Sequence, residues 1–135
     1  MKKLLTLLSA SGVATLITAS SALAQAFPTT LVGTWSVRAN NTDLTLIVQS
    51  QSSDSPCAQI TGTMGGSTGP IVGYYCPATG VVSFLLNSGS GGATYQVYFG
   101  QASSPGSQTQ ITGNFTSFDG GNGNGAFSFS AQTSE

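Results

Sequence analysis

From residue 31 onward the chain alternates between apolar and polar positions in short stretches. In "LVGTWSVRA", residues 31–39, Trp35 and Val37 share one phase, with Ser36 and Arg38 on the other. "DLTLIVQS", 43–50, puts Leu44, Leu46 and Val48 in one phase and interrupts the polar side with Ile47. Two further runs are "AQITGTM", 58–64, and "IVGYYC", 71–76. "GVVSFLLN", 80–87, is nearly apolar on both sides. In "ATYQVYFGQ", 93–101, Tyr95, Val97 and Phe99 oppose Thr94, Gln96 and Tyr98. The last two runs are "TQITGNFTSF", 109–118, and "GAFSFSAQ", 125–132, where Phe127, Phe129 and Ala131 oppose Ser128 and Ser130. A period of two in β-branched and aromatic residues predicts a strand for each run.

The gaps are short and carry turn chemistry: "NNTD", "GGSTGP", "SGSGG", "SSPGS" and "DGGNGNG". Gly, Asn, Asp and Pro supply the backbone angles that tight turns need. Short connections favour antiparallel neighbours, hence a meander. An open meander leaves two exposed edges, which proteins commonly protect with charge. This chain is 5% charged. Closure removes the edges altogether. The pattern therefore predicts an all-β fold, an eight-stranded antiparallel up-and-down β-barrel, with a two-sheet sandwich of the same strands as the alternative.

The N-terminus reads differently. "MKK" is followed by "LLTLLSASGVATLITASSALA", apolar, small and uncharged, ending in an A-x-A signal at Ala22–Ala24, with Ala24–Ala26 as a second choice. This is the form of a secretory signal peptide over residues 1–24, leaving 25–135 as one barrel domain in a secreted or periplasmic location. The remaining chain keeps Arg38 as its one basic side chain, against Asp43, Asp54, Asp119 and Glu135. One cation cannot neutralise a phosphate backbone, which excludes nucleic acid as a partner. It also excludes recruitment to an anionic membrane surface, and no stable membrane insertion is expected after cleavage.

The two cysteines, Cys57 and Cys76, enclose "AQITGTMGGSTGPIVGYY". There is no histidine and no C-x-x-C, so neither a metal site nor a thioredoxin-like site is suggested. Register points to a disulfide. If Met64 pairs with Gly69 in an antiparallel hairpin, Cys57 and Cys76 fall opposite each other at its open end. An exported compartment permits such a bond to last. A free redox pair is the alternative.

Enzyme chemistry finds little to work with. Without histidine there is no Ser-His-Asp arrangement, and the four acids after the leader are scattered. No catalytic residues, metal or cofactor are expected. There is also a short internal echo, "QITGTM" at 59–64 and "QITGNF" at 110–115, in which the glycine suits a bend or a close approach between strands. Adjacent Tyr74 and Tyr75 must face opposite sides of one strand. Trp35, early in the first strand, is placed to close the barrel floor.

"LVGTW", the later "ITGTM" and eight short strands in up-and-down order resemble the avidin and streptavidin family, within the wider lipocalin-like barrel superfamily. The resemblance implies a ligand site inside the barrel. In that family a polar Asn follows the G-T-W tryptophan by two residues; Val37 stands there. The family tyrosine after the T-G pair falls on Met64, and the serine beyond it on Gly66, with Ser67 or Thr68 as the nearest hydroxyls. The family tryptophans fall near Phe84, Tyr95 and Phe115. The strand-eight aspartate has no match, and Asn122 or Asn124 is the nearest polar residue. The resemblance thus implies candidate ligand contacts at Trp35, Val37, Met64, Ser67, Thr68, Phe84, Tyr95, Phe115 and Asn124, without the polar cradle that biotin requires. The functional expectation is a secreted, non-enzymatic binding protein with a changed pocket for a small apolar or amphipathic molecule. The alternative is a structural or self-associating barrel without a small ligand, a homo-oligomer formed through an outward patch of Val82, Leu86 and Tyr98. A binding module whose turns contact another protein is a third reading.

Overall fold

The computed structural model describes residues 26–65, 69–87, 95–118 and 125–134. Eight strands follow one another: β1 (Gly33–Ala39), β2 (Thr42–Gln51), β3 (Ala58–Met64), β4 (Gly69–Cys76), β5 (Val81–Asn87), β6 (Tyr95–Ser103), β7 (Gln110–Phe118) and β8 (Gly125–Thr133). Each pairs antiparallel with its sequence neighbour, and β1 also pairs with β8, so the sheet closes into a barrel. Closure decides against the sandwich. No helix occurs among the described residues. The signal peptide and its cleavage point lie outside them.

Alternation sorts the side chains. Trp35, Val37 and Ala39 of β1 point inward, as do Leu46 and Val48 of β2, Ile60 and Met64 of β3, and Ile71 and Tyr75 of β4. Tyr74 points out while Tyr75 is fully buried, as neighbours on one strand must. The β1–β2 turn is the pair Asn40–Asn41, both with positive φ, 44° and 64°. Two such residues suit the primed hairpin turns, and Asn tolerates that conformation better than other side chains. Strand β2 therefore starts at Thr42, paired with Ala39.

The echoed glycines answer to close approach. A Cβ on Gly62 would lie 1.9 Å from the Ile47 carbonyl oxygen, and one on Gly113 would lie 2.2 Å from that of Phe99. In both strands the preceding isoleucine, Ile60 or Ile111, is buried. The repeated "QIT-G" thus marks equivalent stations where neighbouring strands press together.

Met64 pairs with Gly69 and Ala58 with Tyr75. That register carries Cys57 and Cys76 to a Cα separation of 4.1 Å, and they are joined as a disulfide. The bond fastens the open end of the β3–β4 hairpin.

One end of the barrel is closed by residues 26–32, which run across it as a strap. The Ser104 amide donates to the Ala26 carbonyl at 2.9 Å. Phe27 lies against Gly80, where a Cβ would come within 2.5 Å of its ring. The Tyr75 hydroxyl donates to the Pro28 carbonyl. Gln51 holds both sides of the strap: its Oε1 accepts from the Leu31 amide at 2.9 Å, and its Nε2 donates to the Thr29 carbonyl at 3.0 Å. Gln51 reaches inward because the β2–β3 register shifts between Val48 and Ser50. The extra residue reverses the phase, so Gln51, not Ser50, sits opposite buried Ile60. Trp35 completes the floor, its Nε1 donating to the Leu31 carbonyl at 2.9 Å.

Two outcomes follow. Replacing both cysteines by alanine is expected to cost about 3 kcal/mol in urea unfolding, because closing this loop restricts the unfolded chain. A reducing agent should lower the wild-type midpoint to the same value. Gly62→Ala should cost about 3 kcal/mol in the same assay, since strand backbone rather than a mobile side chain blocks the new methyl group.

Candidate functional site

Toward the other end, the interior wall of β5–β8 is built from aromatic rings. Phe84 pairs across strands with Tyr98, Tyr98 with Phe115, and Phe115 with Phe127. Directly opposite residues on one face bring their side chains together. Phe84 and Tyr98 stack with centroids 4.7 Å apart, and Tyr98 and Phe115 with centroids 4.8 Å apart. Phe127 continues the series at 5.2 Å from Phe115. Phe129 meets Tyr98 edge-on at 5.1 Å. Each such contact stabilises by roughly 1 kcal/mol beyond its buried area.

Above this wall the mouth of the barrel holds a cleft of about 350 Å³. Leu44, Phe115 and Phe127 give it apolar sides, while Asn40, Thr42, Gln96 and Ser117 give it amide and hydroxyl groups. Tyr98 lies at its base, its hydroxyl donating to Gln96 Oε1 at 2.8 Å. Residues 96 and 98 share the inner face of β6, which makes that bond local to the strand. Among the described residues no charged side chain lines the cleft. Its volume lies in the range of small-molecule sites. A larger depression, about 730 Å³, lies over the outside of β1. It contains the exposed Arg38–Asp43 ion pair at 3.0 Å and is an open surface groove.

The sequence-derived candidates divide among several places. Phe84 and Phe115 meet on either face of Tyr98, and Phe115 also lines the cleft. Trp35 belongs to the floor, with its one donor used by Leu31. Val37 is buried between Leu44 and Ala131, its cross-strand partners. Met64 is buried opposite Leu46. Tyr95 is on the outer wall, 41% exposed, opposite Phe118. The inward residues of β6 are Gln96 and Tyr98, because alternation places Tyr95 with Val97 and Phe99. Ser67, Thr68 and Asn124 lie outside the described residues, as do Gly66 and Asn122. Val82, Leu86 and Tyr98, expected as an outward patch, are all buried.

Gln96, Tyr98, Ser117 and Phe127 line the cleft although none of them was among the expected ligand contacts. The signal for Gln96 and Tyr98 is their shared phase in β6, which the equally apolar opposite phase obscures. Among the described residues, no buried side-chain nitrogen or oxygen lacks a partner. The deep interior therefore presents no unfilled polar cradle, and polar recognition is confined to the mouth. No three potential metal-ligating side chains cluster among the described residues.

Comparison with known proteins adds no relative: no family model matches the chain, and no curated protein matches it.

Burial pushes the phenols of Tyr75 and Tyr98 up from 10.0 to about 12. Below the ordinary value both states are protonated and the folded protein keeps its full stability. Between 10 and 12 the unfolded chain releases protons that the folded chain retains, so stability falls as pH rises. Urea midpoints across this range should fall, while Tyr98→Phe should make the fall shallower.

Proposed function

We propose that the protein is a secreted, non-enzymatic barrel, avidin-like in its short motifs, that binds a small uncharged amphipathic molecule at its mouth. The carrying observation is the cleft itself, with stacked rings below it and amide and hydroxyl groups around it. Aromatic faces favour a flat apolar body, and Gln96, Ser117 and Thr42 favour polar atoms at one edge. The lining residues that the structure describes carry no charge, which favours a neutral ligand. The Cys57–Cys76 disulfide is compatible with an oxidising extracytoplasmic compartment.

Biotin is disfavoured. Its ureido ring needs buried hydrogen-bond partners. At the stations where the resemblance would put two of them, the chain has Val37 and Met64, both buried among apolar residues.

Titration of the mature protein with the neutral probe N-phenyl-1-naphthylamine should give saturable fluorescence enhancement. Ser117→Trp, which fills the cleft from β7, should weaken binding at least ~10-fold, the equivalent of about 1.4 kcal/mol. Calorimetry with biotin, beside an avidin control, should show no heat. Probe binding that is absent, or unchanged by Ser117→Trp in a folded variant, would overturn the reading.

A further inference from the structure

Just outside the rim of the mouth lies a second hollow, of about 320 Å³. Strands β1 and β8 make its base. Ala39 and Phe129 are paired and buried, so the outward positions flanking them face the hollow. Arg38 stands opposite Ser130 there. Next to them the Asn40 amide donates to the Ser128 carbonyl at 3.3 Å, joining β1 to β8 at the rim. Asn41, the second residue of the β1–β2 turn, completes the lining.

Hollow and cleft lie on the two sides of one turn. Asn40 lines both. On the facing strand Phe127 lines the cleft and its neighbour Ser128 the hollow, as alternation requires. A molecule seated in the cleft and longer than it meets the hollow as soon as it crosses the rim.

The two spaces differ in chemistry. The cleft has apolar sides, whereas the hollow presents a guanidinium, two amides and two hydroxyls, all on exposed residues. Among the described residues the amide side chains of Asn40 and Asn41 and the hydroxyls of Ser128 and Ser130 have no hydrogen-bond partner. Arg38 gives one N–H to Asp43 Oδ1 at 3.0 Å. Asp43 does not line the hollow, so Arg38 is approached there without its carboxylate. The Arg38–Asp43 pair is neutral as a whole, and no net charge draws an anion. Amides and hydroxyls both donate and accept. A carboxylate or phosphate only accepts, and would leave the amide oxygens unmatched. An apolar group would cover all these polar groups without satisfying any. A sugar ring, with a donor and an acceptor at every hydroxyl, matches the set.

We propose that this hollow is a sugar subsite, and that the ligand is a neutral glycoside. Its flat apolar part lies on the ring wall, and its sugar crosses Asn40 to rest among Arg38, Ser128 and Ser130. The inference rests on the mouth cleft being a ligand site. Because the shelf is exposed, each hydrogen bond to the sugar replaces one to water, and the gain is that of one or two net bonds, about 10-fold in affinity.

Displacement of N-phenyl-1-naphthylamine from the mature protein is the test. The competitors are 2-naphthyl β-D-glucopyranoside, 2-naphthyl β-D-galactopyranoside and the sugarless 2-methoxynaphthalene. At least one glycoside is expected to bind ~10-fold more tightly than the methyl ether. Ser128→Trp, which fills the hollow from β8, should abolish that advantage and leave 2-methoxynaphthalene unchanged. Circular dichroism establishes that the variant is folded. Should it not fold, Arg38→Leu, which removes the guanidinium donors, takes its place with the same expectation. Equal binding of the ether and both glycosides, or an advantage that persists in every folded variant, would overturn the sugar subsite while N-phenyl-1-naphthylamine binding still upholds the mouth. Where that probe does not bind either, the mouth reading has failed and the subsite falls with it.

Discussion

Five residue pairs, from Trp35 with Thr133 to Ala39 with Phe129, join the first strand to the last. That ladder determines what the rest of the molecule can do. Without it the same eight strands would have two unpaired edges and almost no charge to protect them. With it, every strand has two neighbours, and alternation along each strand separates a core from an outer wall. The glycines at 62 and 113 let adjacent strands approach closely enough to maintain this wall. The disulfide fastens one hairpin of it.

The two barrel ends receive different chemistry from the same sheet. At the floor, backbone carbonyls of residues 26–32 are met by inward Gln51, Tyr75 and Trp35. Each of these side chains is long and has a donor at its tip, so it can cap a strap from within the core. At the mouth, the polar tips include those of Asn40, Thr42, Gln96 and Ser117, and they line a cleft. The ring wall of Phe84, Tyr98 and Phe115 lies between, filling the middle with stacked surfaces. The space left among the described residues therefore lies at the mouth, and the interior, where the family resemblance implies a pocket, is filled by the protein's own side chains.

Much of this was legible because a strand's period is short and its register rigid. Strand count, order and closure followed from alternation and turn residues. The cysteine pairing followed from one hairpin register. The site was less legible, for physical reasons. Strand β6 is apolar on both faces, so periodicity could not tell that Tyr98 enters and Tyr95 leaves. The inner side was assigned to the wrong phase there, and the outward patch was misplaced with it. Gln51 was hidden by a one-residue bulge, which changes a phase without a marked sequence signal. Phe27 lies outside any alternating run, and Leu31, at the head of the first predicted run, falls before β1, so their role at the floor needed three dimensions. Ser67, Thr68 and Asn124 belong to segments outside the described residues.

The strap across the floor makes the barrel a cup rather than a conduit. If the mouth cleft takes a guest, that guest would, as far as the described residues go, arrive and depart by the mouth. A molecule longer than the cleft would be held by one end, with its remainder outside the barrel. Such a vessel suits the grasping of a terminal group on a larger object as well as the storage of a small one.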